Sequence, residues 1–147
     1  MGKKRIIKKT GKTGETKKSA LKSRFLNKGS KRKLDSGVLH VRSTYNNTIV
    51  SLTDLQGNLV CTSSSGALGF KGAKKGTPFA AAKIGELIGD MAKSMGVKTV
   101  DVIVKGVGAG RESAIRGFIS KGIHINSIKD KTPIPHNGPK PKKPRRV

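Results

Sequence analysis

Positive charge is piled at the two ends of this chain, and that confines any folded core to its middle. Of 32 lysines and arginines in 147 residues, 14 lie between Met1 and Ser36 against two acids, and five lie between Asn137 and Val147 against none. From Gly37 to His136 the balance is milder, 13 basic to six acidic residues. Repulsion among so many like charges opposes compaction, so both ends call for a large polyanion, and a phosphate backbone is the usual one. The first 36 residues offer only Ile6, Ile7, Leu21, Phe25, Leu26 and Leu34 as larger apolar side chains. That is too little to offset the conformational entropy of ordering them alone. Three parts are expected: a basic, disordered N-terminal extension over 1–36, a globular domain over 37–130, and a basic arm over 131–147.

A net charge of +24 would also suit an anionic membrane. A membrane-binding segment needs bulky apolar residues opposite its lysines, or an apolar run of about 20 residues. Neither pattern occurs, so no membrane partner is expected. The opening Met1-Gly2-Lys3-Lys4-Arg5-Ile6 lacks the hydroxyl residue of a myristoylation signal and leads into no secretory apolar core. Transit peptides favour Arg and Ser over this Lys-rich, Gly-interrupted composition. Cys61 is the single cysteine, which forbids an intrachain disulfide; its setting in Leu59-Val60-Cys61 reads as a small core residue.

Val38 to Ser43 and Thr48 to Thr53 are β-prone runs joined by Thr44-Tyr45-Asn46-Asn47, which reads as a hairpin because Asn tolerates left-handed backbone angles. After Gln56-Gly57-Asn58, Leu59 to Thr62 supplies a third strand. From Ser63 to Gly76 glycine recurs nearly every third residue, a spacing expected to exclude helix and strand alike. Thr77-Pro78 starts a helix, as cap and first helical residue, with Ile84, Leu87, Ile88, Met91 and Met95 as its buried stripe and Gly96 as its stop. Val100 to Val104 reads as a strand. Gly106 to Gly110 turns it into a second helix with Ile115, Phe118 and Ile119 on one face, which Gly122 ends. Ile123, Ile125 and Ile128 mark a last strand, placed parallel to its predecessor by the helical crossover. The expected fold is α/β, a mixed sheet of about five strands with two main helices. Five of the six prolines fall after Asp130 and leave an extended, semi-rigid arm.

Two nucleotide motifs fail on spacing. Gly11-Lys12-Thr13 resembles the end of a P-loop, but the required earlier glycine is Ile6. Gly106-Val107-Gly108-Ala109-Gly110 follows a strand and opens a helix as a dinucleotide fingerprint would, yet its third glycine position is Arg111. Free amides at a helix start with Arg111 in the first turn still describe an anion site, and RNA phosphate is preferred there over a merely structural turn. The 14-residue loop from Ser63 to Gly76, with Lys71, Lys74 and Lys75 at its end, is a second phosphate surface. Catalysis has little to work with: His40, His124 and His136 are scattered, one cysteine completes no zinc cluster, and Lys83 and Lys93 flank Glu86 and Asp90. No cofactor or metal is expected. With one Tyr and four Phe, recognition is expected to run through phosphate and shape rather than base stacking.

Several of these segments form a fixed series. Tyr45-Asn46-Asn47-Thr48, Gly66 through Pro78 with Phe79-Ala80-Ala81, Val104-Lys105-Gly106 with Gly108, Gly110-Arg111-Glu112-Ser113, and Thr132-Pro133-Ile134-Pro135-His136-Asn137-Gly138 together resemble the universal small-subunit ribosomal protein eleven family, over Gly37 to Val147. The Pro-Lys-Lys-Pro-Arg-Arg-Val ending suits its bacterial or organellar branch. The resemblance implies a ribonuclease-H-like fold on the platform of the small subunit, bridging helices of its ribosomal RNA. It also implies small-subunit proteins seven and eighteen as neighbours, a place beside the messenger-RNA cleft that holds the Shine-Dalgarno duplex, and initiation factor three as a partner. A cytoplasmic or organellar ribosome is the expected location. Val107 and Ala109 stand where the family commonly has Pro, Pro139 and Lys140 replace a usual Cys and Arg, and the N-terminal extension is longer than is typical.

Expected RNA contacts are thus Arg42, Tyr45, Asn46 and Asn47 at the hairpin, and Gly66, Lys71, Gly72, Lys74, Lys75 and Thr77 along the loop. Lys105, Gly106, Gly108, Gly110, Arg111 and Arg116 follow at the glycine turn, with His136, Asn137, Lys142, Lys143, Arg145 and Arg146 in the arm. Two other functions stand beside a ribosomal one. A metal-dependent nuclease would share the implied fold, but the first strand has no carboxylate and only Asp101 is expected within a strand. A free nucleoid- or messenger-binding protein is the other.

Overall fold

A computed structural model of the chain describes residues 33–143. The expectations for the extension before Lys33, and for Arg145 and Arg146, fall outside the described residues.

The strands are β1 (Ser36–Ser43), β2 (Thr48–Thr53), β3 (Leu59–Ser64), β4 (Thr99–Lys105) and β5 (His124–Asp130); the helices are α1 (Pro78–Ser94) and α2 (Gly110–Ile119). They form one mixed sheet in the order β3-β2-β1-β4-β5. The meander β1-β2-β3 is antiparallel, and β4 and β5 run parallel to β1. Parallel neighbours require crossovers, which α1 and α2 supply.

Both helices lie on one face of the sheet, α1 over β2 and β3 and α2 over β1, and they pack closely against each other. That close approach rests on missing side chains: a methyl group on Gly85 would overlap the Ala114 carbonyl, and one on Gly117 would overlap that of Ala82. Strand alternation turns Leu39, Val41, Val50, Leu52, Val100, Val102 and Val104 toward the helices. They meet the full expected stripe of α1, Ile84, Leu87, Ile88, Met91 and Met95, all buried. Each such side chain contributes roughly 1.5–3 kcal/mol by leaving water. Thr77 caps α1 by accepting from the Ala80 amide at 3.3 Å, Pro78 stands in the first turn, and Gly96 closes the helix at a φ of 88°.

Four expectations need correction. Strand β3 runs on to Ser64, since Ser63 and Ser64 pair with Val50 and Ile49 and ladder bonds outweigh the poor propensity of serine. The glycine-rich loop contains a short 3-10 turn over Gly72–Gly76, which needs no sustained helix propensity. On α2 the buried positions are Gly110, Ala114, Gly117 and Phe118, a regular helical stripe, so Ile119 is turned one position off it and is 45% exposed. Finally, Asp130 lies within β5, so Asp101 is not the only strand carboxylate.

Candidate nucleic-acid interface

Topology brings the expected contacts to one place. Strands β1, β4 and β5 end, and β2 begins, at the same edge of the sheet, and β3 ends there too. The hairpin tip 44–47, the loop 65–77, the glycine turn 106–109 and the start of the C-terminal arm therefore converge. Both long helices also begin at this end, so the positive ends of their dipoles point the same way.

The hairpin tip is clamped from within. Thr44 donates its amide and its hydroxyl to the Asn47 carbonyl, at 2.8 Å and 3.0 Å, and its hydroxyl oxygen accepts from the Asn47 amide at 3.1 Å. This thrusts Tyr45 outward, 78% exposed. Ser65 then ties the tip to the loop: its hydroxyl donates to the Asn47 side-chain oxygen, its amide donates to the Thr48 carbonyl at 3.0 Å, and its oxygen accepts from the Thr48 amide at 3.4 Å. A methyl on Gly76 would overlap the Tyr45 carbonyl, so the loop's end lies directly against the tip. Lys71 and Lys74 are exposed beside it, Lys75 is half-buried, and the Thr77 hydroxyl donates to the Lys74 carbonyl at 2.8 Å. Asn47 and Thr77 thus spend side-chain groups on holding the loop, and Tyr45, Asn46 and the lysines are what it presents. At the start of α1, Pro78 has no amide proton and Ala80 and Ala81 donate to Thr77, so this helix end offers little free N–H.

The glycine turn is built for close packing. Gly106 has a φ of 98° and approaches the Ser43 carbonyl so nearly that a methyl would overlap it; Gly108 lies equally close to the Thr44 carbonyl. Their amides are engaged, Gly106 to the Thr132 hydroxyl at 3.1 Å and Gly108 to the Ser43 carbonyl at 3.0 Å. Arg111 donates to the Gly106 carbonyl at 2.7 Å and pairs with Asp130. Asp130 in turn accepts from the amide and hydroxyl of Thr132, at 2.8 Å and 2.6 Å. Those hydrogen bonds, with Arg111, hold its carboxyl well below the usual range, at about 2. The structural-turn reading thus accounts for Gly106, Gly108 and Arg111. Helix α2 has no side-chain N-cap. Arg116 is exposed and paired with Glu112 one turn back.

No helix of the described residues covers the other face of the sheet near this end. A groove of about 560 Å³ there is lined by His40, Arg42, Thr44, Ile49, Ser51, Lys105, Gly106 and Pro133. Arg42 and Lys105 are register partners on adjacent strands. Burial lowers the His40 pKa first, and the positive fields of Lys105 and Lys131 lower it further.

Ion pairing sorts the cations. Among the described residues the four salt bridges engage Lys83, Arg111, Arg116 and Lys121, so Arg42, Lys71, Lys74, Lys75 and Lys105 have no acidic partner. Gly66 and Gly72 lie exposed in the loop, Gly72 at a φ of 58°, and His136, Asn137, Lys142 and Lys143 lie exposed along the arm. Sequence reasoning missed Ser65, Thr132, His40 and Lys131, and it missed Phe70 and Phe79, whose rings meet edge to face. Thr132 and Phe79 lie in segments that carry the family resemblance, but no local pattern gives any of these residues a role at this end.

Among the described residues no three His, Cys, Asp or Glu side chains gather as metal ligands. Asp101 accepts from Ser127 at 2.7 Å and Asn126 at 3.1 Å, and Asp130 is bound as above.

The chain is similar to the small ribosomal subunit protein uS11c of Cyanidioschyzon merolae, 56% identical over 120 residues, which cover 82% of this chain and 99% of that one. The sequence profile described as Ribosomal protein S11 matches residues 37–146, from the glycine of β1 to the basic arm, and the chain belongs to the ribosomal protein S11 family.

Proposed function

We propose that this protein bridges helices of small-subunit ribosomal RNA on the platform, through the end of the sheet where hairpin tip, loop, glycine turn and arm converge. As a family member it is a structural constituent of the ribosome, a small-subunit RNA-binding protein in translation and not an enzyme. The observation that carries the finer reading is convergence: Arg42, Lys71, Lys74, Lys75 and Lys105, none of them in an ion pair among the described residues, lie on the segments that meet at the end where both helices begin. Such a surface gains most from closely spaced phosphates.

The arm over 131–147 lengthens this contact along the RNA, and the basic extension over 1–36, which joins β1 at the opposite end of the sheet, adds a separate one. The same end borders the messenger-RNA cleft, next to small-subunit proteins seven and eighteen, with initiation factor three as a visiting partner. Similarity to the uS11c protein supports the bacterial and organellar branch.

Charge reversal tests the site. Changing Lys71, Lys74 and Lys75 to Glu is expected to weaken binding to a small-subunit RNA fragment far more than the same change at Lys93 and Lys98, which lie at the opposite end of the sheet. Equal loss per charge, at matched salt and with unchanged circular dichroism, would mean that net charge alone governs binding.

A further inference from the structure

The chain has one tyrosine, four phenylalanines and no tryptophan, and three of those five aromatics sit at the cationic end. Tyr45 projects from the hairpin tip, and no hydrogen bond joins its hydroxyl to the described residues. Phe79, in the first turn of α1, is 64% exposed. Phe70 braces it edge to face, with ring centroids 6.2 Å apart and planes at 88°. The backbone of Gly76 abuts the Tyr45 carbonyl, so the tip and the start of α1 form one surface. The Lys83 ammonium lies 5.8 Å from the centre of the Phe79 ring while held by Glu86 at 2.8 Å.

Leaving two rings in water forfeits the free energy of burying their apolar surface. A partner that covers them recovers it. Lys83, paired with Glu86, lies over the Phe79 ring, and Lys71, Lys74 and Lys75 belong to the loop whose end abuts the tip. Lysine is depleted at protein interfaces, whereas flat aromatic faces among cations match a nucleotide strand, whose bases stack while its phosphates are neutralised.

We propose that Tyr45 and Phe79 form a stacking platform for unpaired bases of an RNA loop or bulge, with Phe70 fixing the Phe79 ring and the loop lysines holding adjacent phosphates. This rests on the RNA-binding reading above and adds recognition of single-stranded bases, which the low aromatic content argued against. Lys83 is the movable element: an arriving base takes its place over Phe79, and the ammonium swings to a phosphate.

The single tyrosine provides the readout. The full-length chain is titrated with an RNA hairpin bearing an unpaired, purine-rich loop, and with a fully paired duplex carrying as many phosphates, while Tyr45 fluorescence is followed. Quenching by the hairpin and not by the duplex is expected. Tyr45→Leu and Phe79→Leu should each weaken hairpin binding about tenfold while leaving duplex binding and the salt slope unchanged, and Tyr45→Trp should retain it. Bound hairpin without quenching, or equal losses on hairpin and duplex, would overturn the platform, leave RNA binding intact and assign the exposed rings to a protein partner. If the unsubstituted chain binds neither RNA, the platform and the RNA-binding reading of this end fail together.

Discussion

Arg111 in the first turn of α2 is paired with Asp130 at the end of β5, and the same guanidinium donates to the carbonyl of Gly106. One side chain thus joins a helix start, a strand end and the turn between β4 and α2. Because Asp130 also accepts from Thr132, the first residues of the C-terminal arm are fastened to that joint. Arg111→Ala is therefore expected to lower the urea midpoint of the domain as well as to weaken RNA binding. Arg116→Ala, which breaks only an exposed pair along one helix, should leave the midpoint unchanged.

The same joint should sense acid. The carboxyl of Asp130 titrates at about 2 in the folded chain against 3.8 as its ordinary value. A group whose folded pKa is depressed adds stability that is complete above its unfolded pKa and is lost as pH falls through the folded one. Attachment of the arm should loosen between about pH 4 and pH 2. Chemical-shift titration of Thr132 in the wild type, set against Asp130→Asn, measures it, and an identical profile in both would remove Asp130 as the cause.

Two glycines of the family-like segments should behave in opposite ways. Gly106→Ala places a methyl into the Ser43 carbonyl and demands a positive φ of a residue that resists it, so a loss on the order of 3 kcal/mol is expected. Around Gly66 the nearest atoms lie at 3.9 Å, and Gly66→Ala should change stability by less than about 0.5 kcal/mol. Denaturant unfolding of the two variants decides it.

Truncation separates the extension from the domain. The Leu34 amide donates to the Met95 carbonyl at 3.1 Å, the Lys98 amide donates to the Asp35 carbonyl at 3.0 Å, and Leu34 packs on the core. Removing residues 1–32 should spare the thermal midpoint, whereas removal through Ser36 should lower it. Both deletions should flatten the salt dependence of RNA binding, from a log-log slope near −4 to −5 if about six phosphates are neutralised. An unchanged slope would show that the extension makes no phosphate contacts.

Cys61 should be silent toward thiol reagents until the chain unfolds. Burial pushes its thiol up to about 11 from an ordinary 9.0. A thiol with a raised folded pKa adds stability below its unfolded pKa, lost as pH rises through the folded one, so the fold should weaken between about pH 9 and pH 11. Alkylation at neutral pH should proceed at the rate of global unfolding. Fast alkylation of the native chain would contradict the buried position.

Local chemistry made much of this protein legible from its sequence. Thr77 and Pro78 specify a helix start, the three- and four-residue spacing from Ile84 to Met95 specifies its buried face, Gly96 and Gly122 specify stops, and the clustering of charge at the ends specifies a polyanionic partner. Each depends on residues within a few positions of one another, where propensity and periodicity act directly. The face of α2 was less legible, because its burial depends on small residues, Ala114 and Gly117, that fit beneath α1 and carry no hydrophobic signal of their own. Which groups the cations and glycines meet was decided by tertiary structure alone. Arg111 is paired with Asp130, which β5 brings beside it across 19 residues, and Gly106 and Gly108 lie against the carbonyls of Ser43 and Thr44. The site is an assembly of loops distant in sequence, and only the pairing of β1 with both β2 and β4 brings them to one end of the sheet.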